Sequence, residues 1–407
     1  MNSWDSEALT LQRGWPRTER RGPLCGATRK TTSSIGIRTI SLNRPGGCSM
    51  SRGSKSLLIG AGVMLPTLLV ALIFFLLKTH LDLTQERTPL PRPEWVAERL
   101  DDSQGQGPVA AYWVNTAWQS TSLQTVMASD SSRPDDEPFV MGFPAFILEW
   151  ADGRLLLIDV GMDAVAARAF GAPLEALGLA GPMKPELSVA ESMGSELQRI
   201  EGVVFTHLHI DHVAGLTSLC EQFKGTAPVF MSDAQALRPN FLTKEGADIV
   251  AKASCLEVDR SVTAPMTPLP NFPGVWIVPA AGHTPGSQII VARIESGGGT
   301  RDFLFVGDIV NAAQALELNQ GKPILYRTIL VPEDEERQNS LRQFISTLQH
   351  QHGFQSIASH DQLALEASTL PEWPGRSPLK DPAIDGRIKI KNTLHNPEAI
   401  PTKGLWQ

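Results

Sequence analysis

Val203-Val204-Phe205-Thr206-His207-Leu208-His209-Ile210-Asp211-His212 is the stretch of sequence that decides the fold of this chain. Its first three residues are β-branched or aromatic, which predicts a short buried strand. The segment that follows, residues 213–223, is predicted to be helical. Its apolar residues recur at the i, i+3, i+4, i+7 spacing of one helical face: Leu216, Leu219, Cys220 and Phe223. The polar residues therefore lie on a strand-to-helix turn, where rigid elements on both sides hold the loop.

Three imidazoles and a carboxylate in this stretch are ligand types that zinc and similar metals prefer. His207 and His209 alternate with Leu208, so both side chains can point to the same side of an extended segment. Asp211 and His212 follow where the chain turns, and they can face a second metal nearby. The alternative is a set of unrelated polar residues at a helix start, where aspartate is a common cap. That is the weaker interpretation, because the chain has only nine histidines.

The stretch resembles the HxHxDH signature of the metallo-β-lactamase superfamily. Four other segments are similar to the remaining motifs of that family, in the family's order along the chain. They are Leu155–Gly161, Gly282–Ser287, Phe305–Asp308 and Ala358–Asp361. The resemblance covers roughly Val109 to Asp361, and it is the order of the motifs that makes it specific.

The resemblance implies an α+β fold: an αββα sandwich of two mixed β-sheets flanked by helices. The pattern of the chain agrees, because its predicted strands are grouped in hairpins and not separated singly by helices. Residues 143–150 and 154–159 are two apolar runs joined by Ala151-Asp152-Gly153, a favourable hairpin turn. A doubly wound parallel sheet fits this pattern less well.

The resemblance also implies a dinuclear centre for two divalent metal ions, with zinc as the expected metal. One ion would be held by His207, His209 and His283, and the other by Asp211, His212 and His360, with Asp308 bridging the two. Asp211 would also act catalytically by orienting a metal-bridging hydroxide and passing on its proton. Asp159 would act indirectly, through hydrogen bonds. The simpler interpretations are a turn residue at His283, a helix cap at Asp308 and a coincidental histidine at His360.

The implied function is metal-dependent hydrolysis of an ester, a lactone or a similar small electrophile. Asp308 is similar to the bridging aspartate of the lactonase and methyl parathion hydrolase-like group, and many β-lactamases of the superfamily lack it. Lactonases tend to place a tyrosine soon after this aspartate, whereas this chain has Asn311 there and Tyr326 farther on. Two alternatives stay open: a β-lactamase or phosphotriesterase-type hydrolase at the same site, and a non-catalytic binding module. The net charge of −7 argues against a nucleic-acid partner.

The apolar run 57–77 has the length of a membrane-spanning helix. Arg52 and Lys55 precede it, which places the N-terminus in the cytoplasm and the rest of the chain on the periplasmic or extracytoplasmic side. Because no small-residue cleavage site follows, we expect an uncleaved signal anchor over residues 50–80. A secreted protein with a cleaved signal is the alternative.

The remaining segments complete the predicted organisation. Residues 1–49 are basic and are either a disordered tail or a leader that precedes the true start at Met50. Residues 81–108 are predicted to be a linker, 109–370 the catalytic domain and 371–407 an irregular tail. Cys220 is expected to be a buried free thiol, with a bridge to Cys255 as the alternative. The sequence makes no prediction of oligomeric state.

Overall fold

The structure is a computed structural model in which residues 52–101, 106–128 and 137–374 are described, with side chains from Pro66 onward. Inter-residue contacts divide the chain into two compact units, Met1–Ala61 and Gly62–Gln407. All elements below belong to the second unit, apart from the start of the first helix. The predicted leader, residues 1–49, and most of the predicted tail lie outside the described residues.

The first sheet has seven strands in the order β4-β1-β2-β3-β5-β6-β7. The strands are β1 Ala110–Ser122, β2 Pro138–Glu149, β3 Leu155–Ile158, β4 Lys184–Pro185, β5 Ile200–Val204, β6 Ala227–Ser232 and β7 Leu256–Val262. β4, β1, β2 and β3 pair antiparallel, whereas β3, β5, β6 and β7 pair parallel. The sheet is therefore mixed, and the predicted Asp-Gly hairpin is the connection between β2 and β3.

The second sheet has five strands in the order β12-β11-β10-β9-β8 and is also mixed. The strands are β8 Thr267–Pro268, β9 Val275–Pro279, β10 Gln288–Ser296, β11 Gly299–Gly307 and β12 Gln355–Ala358. Only the β11–β12 pair is parallel.

Twelve α-helices lie in the described part of the chain. They are α1 Arg52–Gln85, α2 Pro93–Asp101, α3 Leu123–Val126, α4 Ala164–Ala176, α5 Val189–Met193, α6 Ile210–Val213, α7 Leu216–Gln222, α8 Asp233–Leu237, α9 Lys244–Lys252, α10 Gln314–Glu317, α11 Glu335–His352 and α12 Gln362–Ala367. The helix predicted over 213–223 is interrupted near Gly215. A Cβ at Gly215 would lie 2.3 Å from the carbonyl oxygen of Val160, so this close approach requires glycine.

The two sheets pack face to face, with helices on both outer faces, so the predicted αββα sandwich is confirmed. Phe146 of β2 and Phe305 of β11 meet between the sheets, with ring centroids 4.8 Å apart. The outer face of the second sheet is covered by the apolar stripe of α11: Leu341, Phe344, Ile345 and Leu348. The outer face of the first sheet is covered by residues of α7 and α9, including Leu216, Leu219 and Val250. Burial of these apolar side chains is the main force that holds the layers together.

Helix α1 continues past the predicted membrane segment, from Arg52 to Gln85. Among the residues that the structure describes, its part Pro66–Gln85 is the one helix long and apolar enough to cross a membrane, judged by length and composition. This part overlaps the predicted span 57–77, and most of its large apolar side chains are exposed, Phe74 by 70%. Near its end, Thr79 and Leu83 are buried.

The prediction that residues 81–108 form a linker differs from the structure. Helix α2 lies within this range, and its Val96 and Leu100 are fully buried in the core between α2 and the second sheet. The prolines misled the prediction: Pro93 occupies the first helical position, where a missing N–H is tolerated. Arg87 pairs with Asp334 at 2.5 Å and so binds this segment to the start of α11.

The prediction of a free thiol at Cys220 is wrong. Cys220 at the end of α7 and Cys255 before β7 form a disulfide with a Cα–Cα distance of 5.2 Å. The fold brings α7 beside the chain that leads into β7, a contact over 35 residues that helical periodicity cannot show. Of the predicted tail, residues 371–374 are described, and Pro371 and Trp373 exchange backbone hydrogen bonds with Trp113 of β1.

We expect loss of this disulfide to lower the free energy of unfolding by about 3 to 4 kcal/mol, because the bridge restricts a closed loop of 35 residues in the unfolded chain. Denaturant unfolding of the double variant Cys220→Ala, Cys255→Ala tests this. The variant should be insensitive to dithiothreitol, whereas the oxidised parent should be destabilised by it. Equal stability of parent and variant would contradict the prediction.

Candidate metal centre

The candidate ligands follow the carboxyl ends of four strands. His207 and His209 follow β5, and Asp211 and His212 lie in α6 directly after them. His283 follows β9, Asp308 follows β11 and His360 follows β12. β9 and β11 both pair antiparallel with β10, so they run in the same direction and end at the same edge. A backbone hydrogen bond of 2.7 Å from Gln288 N to Thr206 O joins the edges of the two sheets there.

All seven predicted ligand residues are brought together at this edge. His207, His209, His283 and Asp308 form one group, and Asp211, His212, His360 and Asp308 form another. Within each group, one potential ligand atom per residue lies within 4.8 Å of all the others. Asp308 belongs to both groups. Six of the seven are buried, and His209 is partly exposed.

The donor atoms at the centre of each group fit a metal ion. His207 Nε2, His212 Nε2 and Asp308 Oδ1 are buried and have no hydrogen-bond partner. Buried polar atoms without partners destabilise a fold, so they call for a ligand. Imidazole nitrogen and carboxylate oxygen together suit zinc and other divalent ions of the first transition row. The residues present therefore fit two such ions with Asp308 between them.

Asp159 orients the candidate ligand His212 through a hydrogen bond to its imidazole. It follows β3 with φ of 57°, in the left-handed region, and is fully buried. Its Oδ2 lies 2.8 Å from His212 Nδ1, so the imidazole can donate there and leave Nε2 free for a metal. The backbone N–H and hydroxyl of Thr206 also donate to this carboxylate, at 2.7 and 2.8 Å. The predicted indirect role of Asp159 rests on these contacts.

A model of the metallo-beta-lactamase superfamily matches residues 144–342, a range that contains Asp159 and six of the seven candidate ligands but not His360. Residues 144–342 belong to this superfamily. A search of curated proteins finds no match.

The superfamily domain is also similar to solved structures. An N-acyl homoserine lactone lactonase is 16% identical, with 66% of this chain and 98% of that chain covered and a TM-score of 0.47. A probable metal-dependent hydrolase from Staphylococcus aureus is 16% identical, with 64% and 91% covered and a TM-score of 0.43. A dizinc quorum-quenching lactonase is 14% identical, with 67% and 91% covered and a TM-score of 0.40.

Three residues at the centre of this superfamily domain were missed in the sequence. Glu333 and Lys322 are buried beside His283, and Thr206 binds Asp159. Glu333 begins an acidic run before α11, a pattern typical of a helix N-terminus, and Lys322 lies in a segment without periodicity. The sequence around them therefore does not indicate that these residues hydrogen-bond to and orient a candidate metal ligand.

Tyr326 lies closer to the centre than its place in the sequence suggested. Burial raises the pKa of its phenol well above the usual value, and the carboxylates of Asp308 and Glu333 add to this effect. Asn311, which occupies the position after Asp308 where a tyrosine was expected, is also buried.

Electrostatics divide the histidines into two sets. Burial lowers the pKa of His207 and His283 below the usual value, and that of His209 to about 3. Burial also opposes protonation of His360, but the carboxylates of Asp308 and Asp211 outweigh it and raise its pKa to about 9. The pKa of His212 is raised well above its usual value, because Asp159 and the other nearby carboxylates outweigh burial.

Burial opposes ionisation of the two carboxyl groups in the centre as well. For Asp211 the charges of His212 and His360 outweigh it and lower the pKa. For Asp308 the charges of His360, His207 and His212 do the same and hold the pKa well below its usual value. Both carboxylates are therefore ionised at neutral pH and available to a cation.

We expect the metal-free protein to lose stability as the pH rises from about 6.5 to about 9. The pKa of His360 is 6.5 in the unfolded chain and about 9 in the fold, so its contribution is complete below the first value and lost above the second. His212 acts in the same direction. Thermal unfolding of chelator-treated protein across this range measures the effect.

His360→Gln should reduce the loss of stability between pH 6.5 and pH 9 in the metal-free protein, because it removes one of the two titrating groups. Zinc-loaded protein should not show it, because a bound metal requires neutral imidazoles. A flat profile in the metal-free protein would refute the assignment.

Proposed function

We propose that this protein is a dinuclear metal-dependent hydrolase that acts on an ester, a lactone or a similar small electrophile. One observation carries the proposal: two groups of buried imidazole and carboxylate donors share the Asp308 carboxylate. This arrangement is suited to two adjacent ions and not to a single structural one. Structural zinc sites usually include cysteine ligands, and neither group contains a cysteine.

Two divalent ions held at this centre would supply Lewis acidity and lower the pKa of a shared water toward neutrality. The protein's own part is orientation and proton handling. His207, His209 and His283 would hold one ion, Asp211, His212 and His360 the other, and Asp308 both.

Asp211 is the residue that we assign to proton transfer. Its Oδ2 lies 3.3 Å from His360 Nε2 and 3.8 Å from His212 Nε2. Because its pKa is lowered, it is ionised at neutral pH and can accept the proton that an attacking water loses. The same carboxylic acid can then protonate the leaving oxygen.

The side of the centre next to Tyr326 is a candidate for substrate contact. Its phenol carries a proton at neutral pH and can donate a hydrogen bond to a substrate oxygen, and its raised pKa extends this state to higher pH. Lys322 Nζ lies 5.4 Å from the centroid of the same ring and helps to hold it in place.

His209→Ala should abolish hydrolysis and reduce the amount of metal that the protein retains. The imidazole is a donor in the first ligand group, so its loss leaves that ion with two histidines and the shared aspartate. Purified protein is assayed against lactones, aryl esters, thioesters, β-lactams and aryl phosphotriesters, with metal analysis of each sample.

The matched control is His350→Ala, because His350 lies on the exposed end of α11, where its partner is Glu317 at 3.1 Å. It should keep full activity and metal content. If the parent protein contains no divalent metal, or if His209→Ala hydrolyses as fast as the parent, the proposed function is wrong. The preferred substrate in the panel separates the lactonase, β-lactamase and phosphotriesterase classes.

We also propose that α1 anchors the protein in a membrane, with the metal centre on the extracytoplasmic side. The exposed apolar side chains of Pro66–Gln85 support the anchor. The Cys220–Cys255 disulfide supports the extracytoplasmic side, because such bonds persist in oxidising compartments.

We expect the full-length protein to stay in the membrane fraction after an alkaline carbonate wash and to be released by detergent. A phosphatase fused after the C-terminus should be active only if that end is exported. A control with Phe74→Asp and Leu72→Arg, which puts two charges into the exposed apolar face, should reduce membrane retention. Complete release of the parent by carbonate would contradict the anchor.

A further inference from the structure

A buried ion pair lies directly behind the metal centre. The side chains of Lys322 and Glu333 are 3% and 2% exposed, and Lys322 Nζ donates to Glu333 Oε1 at 2.6 Å. Removing two charges from water is unfavourable and a buried pair often adds little net stability, so its position calls for a functional reason.

Glu333 orients the ligand His283. The Nδ1–H of this imidazole donates to Glu333 Oε1 at 2.5 Å, which leaves Nε2 without a proton. Nε2 faces the first ligand group and lies 3.2 Å from His209 Nδ1. A carboxylate in this place fixes both the tautomer and the plane of a ligating imidazole.

Lys322 connects this carboxylate to the shared ligand. Its ammonium group donates to the backbone oxygen of Asp308 at 2.6 Å as well as to Glu333. One buried cation therefore positions the residue that belongs to both ligand groups and the carboxylate that orients His283. The Tyr326 ring covers another side of the ammonium group.

The second ligand group is supported differently. Asp159 orients His212, and its hydrogen bonds come from that imidazole and from Thr206. Within the described residues, no lysine or arginine pairs with Asp159. The two groups thus differ in what holds them: a lysine–glutamate ion pair lies behind His283, whereas the carboxylate behind His212 is held by that imidazole and by Thr206.

We propose that Lys322 and Glu333 act as one unit, a positioning pair that aligns His283 and Asp308 and sets the affinity of the ion held by His207, His209 and His283. This rests on the dinuclear centre of the proposed function. The ion held by Asp211, His212 and His360 depends on the pair much less, because Asp308 is its one ligand in contact with Lys322.

The experiment titrates metal-free, full-length protein with Co²⁺ and measures bound ions by equilibrium dialysis and the Co²⁺ absorption bands by spectroscopy. Glu333→Gln and Lys322→Met should each lower the affinity for one of the two Co²⁺ ions by about tenfold to a hundredfold. Each should also change the absorption bands of that ion. The double variant Lys322→Met, Glu333→Gln leaves neither charge unpaired, and its amide oxygen can still accept from His283. It should therefore bind better than the product of the two single effects predicts.

Two further variants separate positioning from folding. Glu333→Asp keeps a negative charge beside Lys322 but is one methylene too short to reach His283. This variant should fold normally and yet have a lowered affinity for the ion of the group that contains His283. Asp302→Asn is the matched control, because it breaks a partly buried ion pair with Arg293 at 2.8 Å on β11, away from the ligands. It should lower thermal stability without changing the Co²⁺ affinities or bands.

If the parent binds two Co²⁺ ions and the variants at Lys322 and Glu333 bind both with unchanged affinity, the positioning pair is refuted and the dinuclear centre stands. Equal weakening of both ions, or strictly additive single effects, would also refute it. If the parent binds no Co²⁺ at all, the proposed function itself fails.

Discussion

The fold of the metal centre depends on one buried carboxylate. Asp159 has no exposed surface, follows β3 in a left-handed backbone conformation, and accepts hydrogen bonds from the backbone and hydroxyl of Thr206 and from His212. These contacts join the ends of two adjacent parallel strands, β3 and β5, to helix α6. They hold the ligand loop at both ends, so its imidazoles are oriented before any ion arrives. A buried charge of this kind is tolerable only because every partner is in place.

The connection of α1 to the metal domain adds a second constraint. Arg87 follows α1 and binds Asp334, whose carboxylate also caps α11 by accepting from Arg337 N. The next residue toward the N-terminus, Glu333, contacts His283. The end of the candidate membrane helix is thus bonded to the chain that supports a metal ligand, and the domain is not held on a flexible tether. Phe75 and Phe241 extend this contact along the helix, with ring centroids 4.7 Å apart.

Sequence reasoning found what is local and missed what is brought together only by folding. Each ligand lies in a short motif at the end of an apolar strand, and the resemblance of these motifs to the superfamily implied the αββα sandwich and the seven candidate ligands. Glu333 and Lys322 reach His283 across 50 and 39 residues, and no neighbouring residue indicates that contact. The Cys220–Cys255 disulfide was only the alternative prediction for the same reason. The prediction of a linker over 81–108 differs from the structure for another reason. Prolines predict an extended chain, but the burial of Val96 and Leu100 stabilises a helix that begins at Pro93.

The buried charges of the candidate metal centre partly offset one another. Asp211 and Asp308 are two carboxylates in a buried site, and His212 and His360 lie beside them with raised pKa values. In the metal-free protein these two imidazolium groups offset part of the negative charge of Asp159, Asp211 and Asp308. The other three histidines have lowered pKa values and are neutral. Divalent ions would enter on the side already free of protons and displace protons from the other side.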